Sequence, residues 1–337
     1  MKLVSYRAER ERPKARRLGF ILEGDTVADL RAGYARMLHD ERGDLQAEEI
    51  AAVRIPCEAA AFLGGGPGAT AAVREASNWL TARHSEQPDA RSLDDEPLFL
   101  PLPDLHLFAP LAPSKVIAAG RNYRAHVGEM SGSNLPYVLP STWFKGASAV
   151  TGPRDDIVRP RAVRQLDYET ELGVVIGRRC KNVPRERAME VIAGYLVAND
   201  ITARDVGRAE RKEGNRLLGK SFDGFCPLGP CVVTAEEVAD PHDLALCTRV
   251  NGELRQDANT SDMIWKIPDI IAYVSQMALL PGDVVTTGSP EGVAMGSAES
   301  GESKFLEPGD VLESEIEGIG VLRNRIVDDP LEPSWQW

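Results

Sequence analysis

Glu169 and Glu171 stand two apart in Asp167-Tyr168-Glu169-Thr170-Glu171-Leu172, just ahead of the apolar run Val174-Val175-Ile176. In a strand this spacing projects both carboxylates from one face. Two like charges beside an apolar run cost free energy unless a cation lies between them, although a solvated strand edge would also carry them. Asp200, which closes the apolar stretch that begins at Ala193, shifts the balance toward a site. Three oxygen ligands with no thiolate nearby suit a hard cation, Mg²⁺ or Mn²⁺, with positions left for water and substrate.

A second constellation is Gly120-Arg121-Asn122-Tyr123-Arg124-Ala125-His126-Val127-Gly128-Glu129. If the residues after Gly120 are helical, His126 and Glu129 share a face. A carboxylate beside a histidine orients the ring and raises its basicity, as a general base requires; a surface pair would look the same. His39, His84, His106 and His242 have no comparable setting. A third is Leu217-Leu218-Gly219-Lys220-Ser221-Phe222-Asp223, where Lys220 sits among small and apolar residues. It suits an electrostatic clamp, or a lysine snorkelling from a loop. Gly64-Gly65-Gly66-Pro67-Gly68-Ala69-Thr70 lacks the Gly-Lys-Ser/Thr ending of a phosphate loop and is expected to be a flexible loop entering a helix.

The elements that must position these residues fall into two parts. Leu18 to Leu22 and Thr26 to Leu30 flank the turn Glu23-Gly24-Asp25, a hairpin signal. Helices are expected around 31–39, 46–53 and 69–83, and the proline-rich stretch 85–113 suits a linker or an extended strap. Beyond it strands dominate: 115–120, 172–177, Val284 to Thr287 after one Pro-Gly-Asp turn, and Val311 to Ile316 after another, with a return through Val321 to Val327. Pro268 opens a helix with Ile270, Ile271, Val274 and Met277 on one stripe. Many strands and few long helices give a β-rich α+β fold, with residues 1–110 as a smaller N-terminal α/β domain and 111–330 as the catalytic one.

The 337 residues carry a net charge of −12, and an acidic chain has little attraction to nucleic acid or anionic membrane. No stretch approaches the roughly 20 apolar residues that span a bilayer. Charge precedes any apolar segment after Met1, so no secretory signal is expected. Five cysteines without a C-x-x-C pair argue against a disulfide framework or a thiolate zinc site, and fit a reducing, cytoplasmic setting.

In order, G-x-N-Y-x-x-H-x-x-E, D-Y-E-x-E-L-x-x-V-I-G, N-D-x-T-A-R-D, G-K-S-F-D-x-F-C-P-L-G-P and T-T-G-S-P-E-G-V resemble the fumarylacetoacetate hydrolase family over about residues 113–328. The resemblance implies a mixed β-sandwich roll, a divalent metal on Glu169, Glu171 and Asp200, and a His126–Glu129 pair activating water. It places Lys220 beside the metal shell and the developing charge. Arg121, Tyr123, Lys145 and Arg204 match pocket positions, and Thr287 and Gly288 would lie near the substrate carboxylate. A homodimer is the family's common habit. Gly207 stands where many members have glutamine, Gly224 where threonine is common, and Ser289 replaces a threonine. The two glycines imply a roomier pocket and a substrate larger than acetylpyruvate.

The expected activity is hydrolysis of a C–C bond in an acylpyruvate-like 1,3-diketo acid. Oxaloacetate-type decarboxylation is the near rival, because both reactions leave a pyruvate-type enolate. Isomerisation of a hydroxymuconate-like acid is next, and a binding protein that kept the fold without catalysis is the reading from another class.

Overall fold

In the computed structural model, residues 1–8, 16–23, 25–129, 138–299 and 303–330 are described. The architecture is α+β, built on a mixed sheet of twelve strands and a second sheet of five. From one edge the large sheet runs Phe99–Pro101, Thr26–Asp29, Arg17–Leu22, Lys2–Ala8, Cys226–Thr234, Ile192–Asn199, Thr170–Ile176, Val284–Thr286, Val116–Gly120 and Ser141–Lys145. Two short strands, Leu105–Leu107 and Val150–Thr151, attach at its sides. The second sheet orders Glu253–Asn259, Ala245–Val250, Val311–Ile316, Gly320–Asp328 and Ile157–Arg159.

The strand Thr170–Ile176 is buried along its whole length. Its residues alternate between two apolar layers, with Val175 on one face of the sheet and Leu172 and Val174 on the other. The first layer is covered by the helices Leu30–Arg42 and Gly66–Glu86, through Leu38 and Leu80, and the second by Ile267–Val274, through Ile270 and Ile271.

Most expected elements form where their local signals lie. The hairpin pairs Phe20 with Ala28 and Leu22 with Thr26, Gly24 itself lying outside the described residues. Asp29 caps the next helix by accepting from the Ala32 N–H at 2.8 Å, and Gly43 ends it in the left-handed region at φ 65°. The strap after residue 85 contributes the strands Phe99–Pro101 and Leu105–Leu107. The Gly64–Thr70 segment differs from expectation. Ala59–Gly64 is helical, and a new helix starts at Gly66 with Pro67 in its first turn. Proline's missing N–H costs nothing there, and the alanines that follow carry the helix on. None of the described helices is long and apolar enough to cross a membrane.

Candidate active site

The register of the central strands builds the acidic centre. Thr170 pairs with Asn199 and Glu171 with Ala198, so Glu169 and Asp200 meet just beyond the strand ends. The Asp200 N–H donates to the Glu169 carbonyl at 2.8 Å, and the Glu169 N–H to Asn199 Oδ1 at 2.9 Å. One carboxylate oxygen each from Glu169, Glu171 and Asp200 lies within 4.8 Å of the others, and all three side chains are buried.

Cations hold two of these acids. Lys220 Nζ donates to Glu169 Oε2 at 2.5 Å and to Asp200 Oδ2 at 2.7 Å. Lys145 Nζ meets Asp200 Oδ1 from behind and reaches the Ile201 carbonyl at 3.3 Å. Arg204 pairs with Glu169 Oε1 at 2.5 Å and donates through Nε to Asp167 Oδ2 at 2.6 Å. Asp167 also accepts from the backbone N–H groups of Tyr168, Ala294 and Met295. Burial alone would raise the Glu169 carboxyl, but Lys220 and Arg204 hold it well below the usual range.

Glu171 stands apart. Among the described residues four buried carboxylates face three buried cations, and Glu171 is the one with no ion pair; it accepts from the Gly288 N–H at 3.0 Å. Burial, then the charges of Asp200 and Glu169, push its carboxyl well above the ordinary value. A divalent cation among the three oxygens removes that penalty, so the donor set fits Mg²⁺ or Mn²⁺ on charge as well as on type. Gly288 reaches Glu171 because its φ of +93° is open to glycine, and a Cβ there would stand 2.9 Å from the Asn122 Cβ.

These groups close one end of a cavity of about 500 Å³. Glu169, Glu171, Arg204 and Lys220 line it with His126, Arg121, Trp143 and Ser289. The Lys220 ammonium lies 4.9 Å from the centre of the Trp143 ring. His126 is buried and sits in the helix Arg124–Glu129, whose start is held by the Ala125 N–H donating to Asp262 Oδ2 at 3.0 Å. The Glu129 side chain lies outside the described residues.

Several expected pocket residues are placed elsewhere. Tyr123, Lys145, Thr287 and Gly288 are not on the cavity wall. Lys145 backs Asp200, Gly288 anchors Glu171, and Tyr123 and Thr287 are fully buried. Gly224 is a turn residue at φ +76°, also off the wall, so it adds no room. Gly207 does line the cavity, but its space is taken: Arg211 Nη1 lies 3.6 Å from where a Cβ would stand.

Sequence reasoning missed Asp167, which locks Arg204, and Asn122, which pins the loop before the histidine helix. Asn122 donates to the carbonyls of Trp265 at 3.0 Å and Thr287 at 2.7 Å, and accepts from the Trp265 N–H at 2.7 Å. Each is a named letter of a quoted motif, D-Y-E-x-E and G-x-N-Y, and that was the available signal.

Residues 115–327 match the family described as fumarylacetoacetate (FAA) hydrolase C-terminal. A mitochondrial oxaloacetate tautomerase of Bos taurus is 43% identical over 240 residues, covering 70% of this chain and 74% of that protein. A 5-carboxymethyl-2-hydroxymuconate delta-isomerase from Mycobacterium smegmatis superposes with a TM-score of 0.66 at 31% identity, covering 98% of this chain and 100% of that one. A maleylpyruvate hydrolase from Sphingobium sp. SYK-6, in complex with manganese(II) and pyruvate, gives 0.66 at 28% identity over the same shares.

Proposed function

Because the chain belongs to the fumarylacetoacetate hydrolase family, we propose that it is a divalent-metal-dependent enzyme that forms and quenches the enolate of a 2-oxo acid, its reaction being keto–enol tautomerisation of an oxaloacetate-like substrate. The observation that carries this reading is the pairing of Lys220 with Glu169 and Asp200 at the closed end of a cavity that His126 also lines. Similarity to oxaloacetate tautomerases supports the choice of reaction and moves it ahead of hydrolysis.

A divalent ion held by Glu169, Glu171 and Asp200 would supply Lewis-acid polarisation of the 2-oxo carboxylate. The ammonium of Lys220 offsets negative charge developing on the 2-oxo oxygen, and its two carboxylates keep it protonated against the cost of burial. In enolisation His126 takes the proton from C3 and delivers it to the enolate oxygen; in ketonisation it takes the enol O–H proton and delivers it to C3. Arg204 holds Glu169 in place, and the closed inner wall limits water.

Cleavage of an acylpyruvate C–C bond is the second reading, favoured by the burial of His126 on the cavity wall, where it could deprotonate an attacking water. The test follows enol-oxaloacetate and acetylpyruvate in parallel by NMR, with Mg²⁺ or Mn²⁺ present. Ketonisation well above the rate of the metal ion in buffer is expected, falling about 10²–10⁴-fold in His126→Ala and also lost in Lys220→Met. Cleavage without ketonisation would hand the function to the second reading. Neither activity would remove both.

A further inference from the structure

The outer wall of the same cavity carries Arg208, Arg211 and Arg216, and among the described residues none of the three is ion-paired. Arg208 Nη2 donates to the neutral Gln165 Oε1 at 3.2 Å. Arg216 stacks 4.5 Å from the Trp143 ring centre and donates to Ser141 Oγ at 3.1 Å. The acid nearest in the chain, Glu210, spends its carboxylate on the backbone N–H groups of Leu218 at 2.7 Å and Gly219 at 2.9 Å. Partial burial, and then the charges of Arg204, Arg216, Arg208 and Arg121, lower the affinity of Arg211 for its own proton.

Gly207 explains how Arg211 reaches the wall. The two residues are four apart in the helix Arg204–Lys212, so their side chains share a face. Hydrogen in place of a side chain at Gly207 lets the guanidinium lie back over the preceding turn, 3.6 Å from the vacant Cβ position. The glycine thus exchanges a polar side chain at one position for a longer cation from the next turn. Like charges gathered without an ion-paired acid among the described residues raise the energy of the empty wall, and a bound anion lowers it.

Resting on the 2-oxo acid reading above, we infer that Arg211, laid across Gly207 and flanked by Arg208 and Arg216, is the specificity determinant that receives a second carboxylate at the far end of the substrate. Arg211 is then the residue that selects the diacid of that reading over a 2-oxo monoacid of the same length. Planar guanidinium groups match a carboxylate's two oxygens, and each charge-assisted bond is stronger than a neutral one.

The test uses the Mn²⁺-loaded protein and a matched pair of probes, 2-oxoglutarate and 2-oxopentanoate, which share a five-carbon chain and differ by a carboxylate for a methyl group. Calorimetric titration should find 2-oxoglutarate about 10–100-fold tighter, with the preference shrinking as salt rises. Arg211→Gln should cut the ratio to within about threefold while leaving 2-oxopentanoate affinity unchanged. Arg211→Lys should retain an intermediate ratio. Equal binding of the two acids by the wild-type protein would overturn the inference while leaving the 2-oxo acid reading intact, and so would a full preference retained in Arg211→Gln. Failure of both acids to bind would remove the inference and that reading together.

Discussion

Lys220 and Arg204 on the inner wall of the cavity, and Lys145 behind it, each lie against a buried carboxylate, whereas Arg208, Arg211 and Arg216 on the outer wall have none among the described residues. The two walls are made of the same side-chain types at different energies. Inside, charges removed from water are tolerated because each cation meets an acid at hydrogen-bond distance. Outside, the arginines keep access to solvent, so lacking a carboxylate costs them little. The inner wall is therefore complete except at Glu171, and the outer wall waits for an anion. On the proposed reading, a cavity with these two ends would orient a 2-oxo diacid with its far carboxylate toward the arginines.

The largest expected effect breaks the inner wall at its unpaired acid. Glu171→Gln keeps the shape and the Gly288 contact but removes the charge, so Mn²⁺ affinity should fall by more than about 100-fold. Without metal the same variant should be no less stable than the wild type, since an unpaired buried carboxylate is gone. Unchanged Mn²⁺ titration would contradict the assignment of the acidic centre.

Next comes a direct contrast between the walls. Arg204→Met leaves Asp167 and Glu169 buried with a partner lost, at a cost of about 3–5 kcal/mol in urea unfolding. Arg208→Met should stay within about 0.5 kcal/mol. Similar costs at both positions would erase the distinction.

A pH series sharpens it further. Glu169 is depressed below the ordinary 4.5, so its contribution is present above that pH and is lost as pH falls toward its folded value. Lys220 is raised above 10.5, so its contribution is full below that pH and is lost as pH rises beyond it. The stability gap between wild type and Lys220→Met, measured without metal, should be widest between these limits and narrow on either side. A gap independent of pH would mean that Lys220 acts through packing alone.

The smallest effect is expected outside. Arg208→Gln combined with Arg216→Gln should alter stability by no more than about 0.5 kcal/mol, and should leave Mn²⁺ affinity at the wild-type value. A loss of Mn²⁺ binding there would show that the walls are not independent.

The acidic triad was legible because residue type and neighbourhood agreed: Glu169 and Glu171 adjoin an apolar strand, and Asp200 ends another. Local signals also served the hairpin and the proline-started helix, now Ile267–Val274. What could not be read depends on long separations. Asp167 gains its meaning from Arg204 and from the N–H groups of residues 294 and 295, all brought to it by tertiary folding. Lys145 looks like a pocket residue in its motif, but its strand ends so that the ammonium reaches Asp200 from the rear. Gly207 reads as open space because a linear reading does not show a side chain folding back from Arg211. In the Gly64–Thr70 segment the entry into a helix was legible, but the loop expected before it is helical to Gly64 and the next helix starts at Gly66.

The pairing of Lys2 with Val233 and Leu3 with Val232 sets a timetable for synthesis. Lys2–Ala8 can pair early with Arg17–Leu22, and later with Leu105–Leu107, but the Lys2–Leu3 end of its other side stays open until the Cys226–Thr234 strand exists. At about 5–20 residues per second, more than two hundred residues take roughly 10–50 s to make. For that interval a nascent chain holds a half-built sheet with a bare strand edge, the kind of surface that recruits other strands. Slower translation would lengthen the exposure, so yield of folded enzyme should depend on the pace of the ribosome through the middle of the message.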